Sequence, residues 1–338
     1  MKLYIIGNGF DLHHGLKTGY LDYKSYLEKN NPALLKAFCE FPFFSHPEDD
    51  YELWTDLESS LTFDYHSFRD EYFSDLVENK YPNLTSDSDY TWDEIATETD
   101  VKTSFIHDFT GPVFYDWLKQ VSFDSIKPDT SLNLSANSKY ITFNYTATLE
   151  SLYHITPENI LHIHGKLESI DPSDFLGGGV YHPAHNMLEA EILEPVRLAP
   201  INNHTVRSKI QFGSIHNNPE FIRKFFSEQF QSDDYFGASI EPAIDHVFSF
   251  CTSSSKDLSS NYDVLQEFIN DDSIDEIIVM GHSFDGVDSQ YYTDILFKKF
   301  KHCKWVVYYH VSNQDEIENT ESRIQEFFSG LNLTLQRW

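Results

Sequence analysis

Two polar side chains follow short apolar segments of the chain, at positions where catalytic groups are often found. Asn144 comes after Tyr140–Phe143, and His164 comes after Ile160–Ile163 and before a glycine. A histidine titrates near neutral pH and can accept a proton, and an asparagine amide can hold a water molecule or a hydroxyl group. Each residue also has a structural interpretation, Asn144 as an Asx turn that ends a strand and His164 as a packing residue. Both interpretations stay open from the residues alone.

A second histidine, His162, lies two residues before His164. If the segment is a strand, both side chains are expected on the same face of it. The pair then fits a metal site, a catalytic base or two packing residues. A metal needs a third ligand, and no Asp or Cys nearby has a suitable spacing, although His182 and His185 follow further along. We therefore expect no metal and take His164 as the candidate base.

A glycine-rich turn, Gly7-Asn8-Gly9-Phe10-Asp11, follows the first apolar segment. In such a turn the backbone amides of Gly7, Asn8 and Gly9 can approach a phosphate. The turn lacks the third glycine of the dinucleotide-binding fingerprint, and a tight turn needs glycine whether or not a ligand is present. Asp11 is suited either to meet a ribose or to cap the helix that follows. The turn therefore indicates a nucleotide site only in combination with other motifs.

The elements that position these residues are short apolar segments that alternate with longer stretches of helical periodicity. Segments with little polar alternation are typical of strands buried on both faces of a parallel sheet. Five are predicted as strands: Leu3–Ile6, Tyr140–Phe143, Ile160–Ile163, Ile277–Met280 and Trp305–Tyr309. Five stretches are predicted as helices: Tyr20–Leu27, Phe105–Val121, Tyr262–Ile269, Tyr291–Phe300 and Glu316–Leu331. The alternation predicts an α/β fold with a Rossmann-like, mostly parallel sheet.

The first two predicted strands are too far apart in sequence for one crossover connection. We therefore expect a single α/β domain over residues 1–338 with a large helical insertion at about 30–130. Its many aromatic residues indicate that the insertion is packed and not loosely attached, and that it is suited to an interface between copies of the chain. A second irregular stretch, at about 166–240, is expected to be loop-rich and to resemble a lid.

Composition excludes several classes of function. The 24 lysines and arginines are outnumbered by 54 aspartates and glutamates, which gives a formal charge of −30. Such a chain repels phosphate backbones and anionic lipids, so we expect neither nucleic acid nor a membrane as partner. The acidic runs at 48–58 and 81–100 are predicted to form solvated surface.

The cysteine count bears on the compartment and on metal chemistry. Three scattered cysteines indicate a reducing compartment and exclude a four-cysteine zinc module within this chain. No apolar run approaches the roughly 20 residues that span a bilayer, and the first apolar run is too short for a signal peptide. We therefore expect a cytoplasmic protein.

Taken in order along the chain, the motifs resemble the AbiH family of bacterial abortive-infection proteins. The resembling stretches span nearly the whole chain: Ile5–Asp11, Leu53–Glu58, Thr142–Thr146, Ile163–Gly165 and Gly281–Asp285 with Asp288. One such short motif carries little weight, whereas five in order are specific. The resemblance implies a defence protein that stays silent until infection and responds to a phage-derived trigger.

At a greater distance the same series is similar to the sirtuin-type NAD-binding fold. The first glycine turn continues through Gly15, and Thr142-Phe143-Asn144-Tyr145 matches the segment whose asparagine faces the nicotinamide ribose. His164-Gly165 matches the catalytic histidine, and Gly281-His282-Ser283 matches the loop near the adenosine ribose. Asp11 stands where sirtuins have serine, and the zinc module that frames the acyl-lysine groove is absent. The likeness therefore implies hydrolysis of NAD and not lysine deacylation.

The resemblance gives each matched residue an expected role. Asn144 and His164 are the expected catalytic residues, with NAD as substrate and no metal. The expected NAD-binding residues are Gly7, Asn8, Gly9, Phe10, Asp11, Gly15, Thr142, Gly165, Gly281, His282, Ser283, Asp285 and Asp288. One alternative is a sensing module that binds NAD or ADP-ribose without cleaving it. Another is a metal-dependent nuclease or hydrolase built on His162, His164, His182 and His185.

Overall fold

A six-stranded parallel sheet forms the centre of the fold. The computed structural model describes residues 1–80, 90–167, 210–229, 234–271, 273–284, 286–311 and 314–338. The strands are β1 (Lys2–Ile6), β2 (Lys139–Thr142), β3 (Ile160–His162), β4 (Glu276–Met280), β5 (Lys304–Tyr309) and β6 (Asn332–Arg337). Their spatial order, β3-β2-β1-β4-β5-β6, is that of a Rossmann-type sheet. The predicted α/β fold with a parallel sheet is confirmed.

The central strands are apolar because they are covered on both faces. Ile5 of β1 is fully buried and lies in register with Ile141 of β2 and Val279 of β4. Strand β6 has no such run, because at the edge of the sheet its residues are exposed or half-buried. Because this strand was not predicted, the predicted helix Glu316–Leu331 extends too far. In the structure the helix ends at Phe327, and β6 follows.

Helices fill the connections between the strands. Those between β1 and β2 are α1 (Asn8–His13), α2 (Tyr20–Asn30), α3 (Pro32–Cys39), α4 (Asp50–Thr55), α5 (Leu57–Ser60), α6 (Tyr65–Ser67), α7 (Tyr90–Thr103), α8 (Phe105–Thr110) and α9 (Pro112–Leu118). Later come α10 (Thr148–Tyr153), α11 (Pro219–Gln229), α12 (Asp234–Ser253), α13 (Leu258–Phe268), α14 (Ser289–Tyr291), α15 (Phe297–Lys299) and α16 (Ile317–Phe327). Shorter π-helical turns occupy Phe68–Phe73, Leu76–Lys80 and Tyr292–Leu296.

One predicted helix is divided in two. The periodicity of Phe105–Val121 predicts a continuous helix, but α8 ends before Gly111 and α9 begins at Pro112. Gly111 has φ −116° and ψ −110°, outside the helical region, and the proline suits a first helical position. In the part of the chain that the structure describes, no helix is both long and apolar enough to cross a membrane.

The helices of two distant segments share one aromatic core. Phe38 and Phe109 stack with ring centroids 4.3 Å apart, and Phe114 stacks on Phe212 at 4.2 Å. Residues 20–118 and 212–251 both contribute buried side chains to this core. The stretch at about 166–240 thus supplies α11 and the start of α12, while 168–209 and 230–233 lie outside the described residues.

Candidate functional site

A cleft of about 430 Å³ opens at the carboxyl ends of the sheet strands, below α4, α5 and α9. Ligands of open α/β sheets bind at this edge. Most of the predicted site residues line it: Gly7, Asn8, Gly9, Asp11, Asn144, His164, Gly281, His282, Ser283 and Asp288. The fold therefore brings together motifs that are spread over the whole sequence.

Among the described residues, four predicted site residues do not line the cleft, and a fifth is not described. Phe10 is fully buried in the core, where it packs on neighbouring aromatic rings. Gly15 is exposed and ends α1 with φ +78°. Thr142 lies buried beneath the site, and Gly165 forms the turn after β3 with φ +86°. Asp285 lies outside the described residues.

The glycine turn after β1 and the glycine turn after β4 are hydrogen-bonded to each other. Gly7 N–H donates to Met280 O at 2.9 Å, and Gly9 N–H donates to Gly281 O at 2.8 Å. A Cβ on Gly7 would lie 2.5 Å from Gly281 O, so glycine permits the close backbone approach. Because both amides are occupied, the predicted phosphate cradle at Gly7 and Gly9 is wrong. These glycines serve the packing of β1 against β4.

Replacing Gly281 with alanine is expected to lower the free energy of unfolding by about 2–3 kcal/mol. Its φ is +67°, and a Cβ there would lie 2.1 Å from Phe10 N. Gly15 shares a positive φ but has no atom within 4 Å of its Cβ position. Gly15→Ala should therefore cost only the dihedral penalty, about 1 kcal/mol. Urea denaturation measures both, and equal losses would show that the contact between the turns is unimportant.

Side chains on both turns shape the cleft. Asn8 exchanges two hydrogen bonds with Thr18, at 2.9 and 2.7 Å, and so fixes the chain that leads into α2. The ring of His282 lies edge-on to Phe143 with centroids 4.6 Å apart. Ser283 is exposed at the rim. The turns thus build the wall and the rim of the cleft.

Asn144 is held at the cleft by its backbone alone. Its N–H donates to Thr142 Oγ1 at 3.1 Å, and only 5% of the residue is exposed. Among the described residues, neither side-chain atom Nδ2 nor Oδ1 has a hydrogen-bond partner. The Asx-turn interpretation is therefore wrong, and the amide is available to a ligand.

His164 is neutral and almost completely buried, with 1% exposed. Its Nδ1 lies 3.3 Å from Lys256 Nζ, and its Nε2 lies 3.4 Å from Asp288 Oδ1 without hydrogen-bond alignment. Burial and the Lys256 ammonium hold the His164 pKa well below its usual range. Because an ammonium only donates, Nδ1 is the acceptor and we assign the ring hydrogen to Nε2.

His162 does not share a face with His164, so that prediction is wrong. Strand β3 ends at His162, and the following turn breaks the alternation. His162 Nε2 lies 3.1 Å from Glu150 Oε1, and Lys166 Nζ lies 2.8 Å from the same oxygen. Burial opposes ionisation of Glu150, but these two donors lower its pKa to about 2. His162 therefore belongs to an ion-pair cluster.

The described residues contain no cluster of three or more His, Cys, Asp or Glu side chains placed to hold a metal. His182 and His185, the further residues of the metal-dependent alternative, lie outside the residues that the structure describes.

The structure adds a buried lysine, Lys256, that no sequence motif indicates. It connects the cleft to α5, one of the helices between β1 and β2. The Lys256 side chain has no exposed surface, and its Nζ donates to Glu58 Oε2 at 2.6 Å and to Asp288 Oδ1 at 3.2 Å. Burial opposes its charge, but Asp288 and Glu58 outweigh burial and raise the Lys256 pKa. Tyr20 and Tyr145 donate their hydroxyl hydrogens to Glu58 Oε1 at 2.8 and 3.1 Å. Lys256 therefore stays charged at neutral pH.

Glu58 corrects the predicted solvated surface at 48–58. Its acidic neighbours Glu48, Asp49, Asp50, Glu52 and Asp56 are exposed as expected, but Glu58 is buried. It shares the short helix α5 with the fully buried Leu57, which anchors this turn in the aromatic core. The sequence carries no signal that sets this carboxylate apart, because the exposed Asp56 and Glu52 also stand next to leucines.

Asp11 neither caps α1 nor lies free in the cleft. Its carboxylate accepts hydrogen bonds from Thr146 Oγ1 and, at 2.7 Å, from Thr148 Oγ1. Burial raises the Asp11 pKa to about 6, although these hydroxyls and the nearby Asn144 amide oppose the shift. The residue thus ties the first glycine turn to the chain after β2.

The raised pKa of Asp11 predicts a pH-dependent stability. Because the folded state holds the proton more tightly than the unfolded chain, Asp11 stabilises below its ordinary value of 3.8 and loses that contribution as pH rises through about 6. The difference is on the order of 3 kcal/mol. Urea denaturation from about pH 4.5 to 7.5 should show the wild type losing stability relative to Asp11→Asn. A constant difference between the two would contradict this assignment.

The charge of the cleft is negative. Four acidic side chains line it: Asp11, Asp56, Glu58 and Asp288. None of the lining residues among those described is a lysine or an arginine. The ammonium of Lys256, which contacts Glu58 and Asp288 of this lining, is already engaged by these two carboxylates. Such a cleft favours a ligand whose inserted part is cationic.

The comparison with family models gives one match, described as bacteriophage abortive infection AbiH, over residues 3–309. The comparisons with curated proteins and with solved structures found no significant match. The matched range covers about nine-tenths of the chain and includes every described residue of the cleft. The chain therefore belongs to the AbiH family, which indicates a role in abortive infection as a defence against phage.

Proposed function

We propose that this AbiH protein acts in defence by hydrolysing NAD⁺ to nicotinamide and ADP-ribose. The observation that carries the proposal is that the buried amide of Asn144 has no partner among the described residues and lines the same acidic cleft as the neutral His164. Buried polar atoms without partners are rare in folded proteins, so a pair of such residues at one cleft needs an explanation. A bound polar ligand supplies it.

The charge of the cleft supports this substrate. The nicotinamide ring of NAD⁺ is cationic, and positive charge moves to the ribose carbon as the glycosidic bond breaks. Carboxylates fixed around that carbon stabilise the developing cation, and Asp11 and Asp288 both line the cleft. Nicotinamide leaves as a neutral molecule, so the reaction needs no general acid.

The size and position of the cleft fit one half of the dinucleotide. Its volume of about 430 Å³ lies within the usual range for small-molecule sites. The acidic lining disfavours the pyrophosphate, and the amides of Gly7 and Gly9 are occupied. We therefore assign the nicotinamide riboside half to the cleft and the pyrophosphate to its mouth.

Each catalytic side chain then has a role. The Asn144 amide holds the attacking water, and the His164 Nε2–H donates to a ribose hydroxyl. This assignment replaces the predicted base role of His164, because Lys256 occupies its Nδ1. Asp288, whose Oδ1 lies 3.4 Å from His164 Nε2, accepts the proton that the water loses. Water and NAD⁺ are consumed, and nicotinamide, ADP-ribose and one proton are formed.

The test is nicotinamide release by the purified full-length chain, followed by chromatography. Equal amounts of nicotinamide and ADP-ribose are expected. Co-purified, intact NAD without turnover would favour the sensing module instead. In cells, NAD should fall after phage infection when the wild type is present, but not with Asn144→Ala. Unchanged NAD in infected cells that carry the wild type would overturn the proposal.

A further inference from the structure

Trp54 of α4 carries a polar atom that has no partner in the part of the chain that the structure describes. The residue is 0% exposed and lines the cleft. Its ring lies 5.5 Å from Phe38 and 6.4 Å from Phe109, and Lys24 Nζ lies 6.0 Å from the ring centroid. The indole Nε1 has no hydrogen-bond partner among the described residues. Aromatic rings of the core pack against this tryptophan and the residue also lines the cleft, so a ligand in the cleft is the candidate partner.

Another tryptophan of the chain shows the contrast. Trp305 is also fully buried, and its indole N–H donates to Phe300 O at 3.1 Å. An indole N–H buried without an acceptor is costly, and buried tryptophans usually find one. Among the described residues, the fold provides an acceptor for Trp305 but none for Trp54. A ligand in the cleft is a candidate for the missing acceptor.

The surroundings define the chemistry of that acceptor. The acidic lining disfavours a phosphate oxygen, so the acceptor is a neutral oxygen. Tyr20, Phe114 and Trp117 line the same cleft, so this part of its wall is aromatic. A neutral carbonyl on an aromatic ring satisfies both conditions, and the nicotinamide carboxamide is such a group.

We propose that the Trp54 indole N–H donates to the carboxamide oxygen of nicotinamide and selects substrates that carry this oxygen. The proposal rests on the proposed function, because it takes NAD as the substrate. Under this proposal α4, one of the helices between β1 and β2, is the part of the site that recognises the leaving group. Trp54 is thus a specificity residue, distinct from Asn144 and His164.

The test compares Trp54→Phe with wild type on NAD and on its thionicotinamide analogue, in which sulfur, a poor acceptor, replaces the oxygen. Trp54→Phe should raise KM for NAD about tenfold and KM for the analogue less than about threefold, with kcat little changed. Trp338→Phe, which removes an indole outside the cleft, is the matched control and should change neither value.

The ratio of the two KM values does not depend on the fraction of folded variant. Equal losses on both substrates, or no loss on NAD, would overturn the role of Trp54. Calorimetric binding of nicotinamide and thionicotinamide supplies a readout without turnover. If the wild type prefers nicotinamide and Trp54→Phe loses that preference while no NAD is cleaved, the inference stands and the proposed hydrolysis fails. If NAD is cleaved and Trp54→Phe leaves both KM values unchanged, the proposed hydrolysis stands and the role of Trp54 fails.

Discussion

Replacing Lys256 with methionine is expected to lower the free energy of unfolding by about 3–5 kcal/mol. The substitution keeps the length of the side chain but removes the ammonium between Glu58 and Asp288. Two carboxylates would then face each other at the wall of the cleft, and breaking a buried ion pair costs far more than losing a surface pair. Urea denaturation at neutral pH measures the loss.

Two further variants separate this effect from a general loss of lysine. Lys304→Met removes a half-exposed lysine that lies 3.0 Å from Glu276 and should cost less than about 1 kcal/mol. Adding Glu58→Gln to Lys256→Met should restore part of the stability, because one unpaired charge disappears. If Lys256→Met is no worse than Lys304→Met, the buried network does not stabilise the fold.

Replacing Asn144 with alanine is expected to lower kcat for nicotinamide release by about 10²–10³-fold, the usual effect of removing one polar group that acts in the transition state. The free energy of unfolding should change by less than about 1 kcal/mol, because among the described residues the Asn144 amide has no well-aligned hydrogen bond to lose and only lies near the Asp11 carboxylate. Catalysis and stability thus separate at this position.

Asn217→Ala is the matched control, since it removes another buried asparagine. The Asn217 amide donates to Leu61 O at 2.8 Å and to Ser254 O at 3.0 Å, and it accepts from Phe63 N–H at 2.8 Å. Its removal should cost about 2–4 kcal/mol of stability while kcat per folded molecule stays unchanged. A loss of stability with Asn144→Ala and normal turnover would remove Asn144 from the catalytic site.

Much of the fold could be predicted because its strands are marked locally. Short apolar runs identify β1 to β5, since strands buried on both faces need no polar alternation. Strand β6 escaped prediction because its residues are exposed or half-buried and alternate between polar and apolar, whereas the other edge strand, β3, keeps an apolar run. The glycine turns were located, but their purpose was not, because only the fold reveals that Gly9 and Gly281 lie against each other.

The candidate site was predictable where it follows strands and not elsewhere. Asn144 and His164 come at strand ends, and both line the cleft. Lys256 lies between two helices with no motif around it, and its burial arises only when chain segments far apart in sequence pack together. Glu58 belongs to an acidic run, for which exposure is the usual expectation, but in the fold α5 places it in a buried position.

The wide spacing of the Lys256 network has a consequence during translation. Its members are Glu58, His164, Lys256 and Asp288, each supplied by a different segment. Until the ribosome has released Asp288, a nascent chain holds the earlier three residues without the last carboxylate, so a truncated product cannot assemble the network. The network therefore forms only after all four of these segments have been synthesised and have folded together.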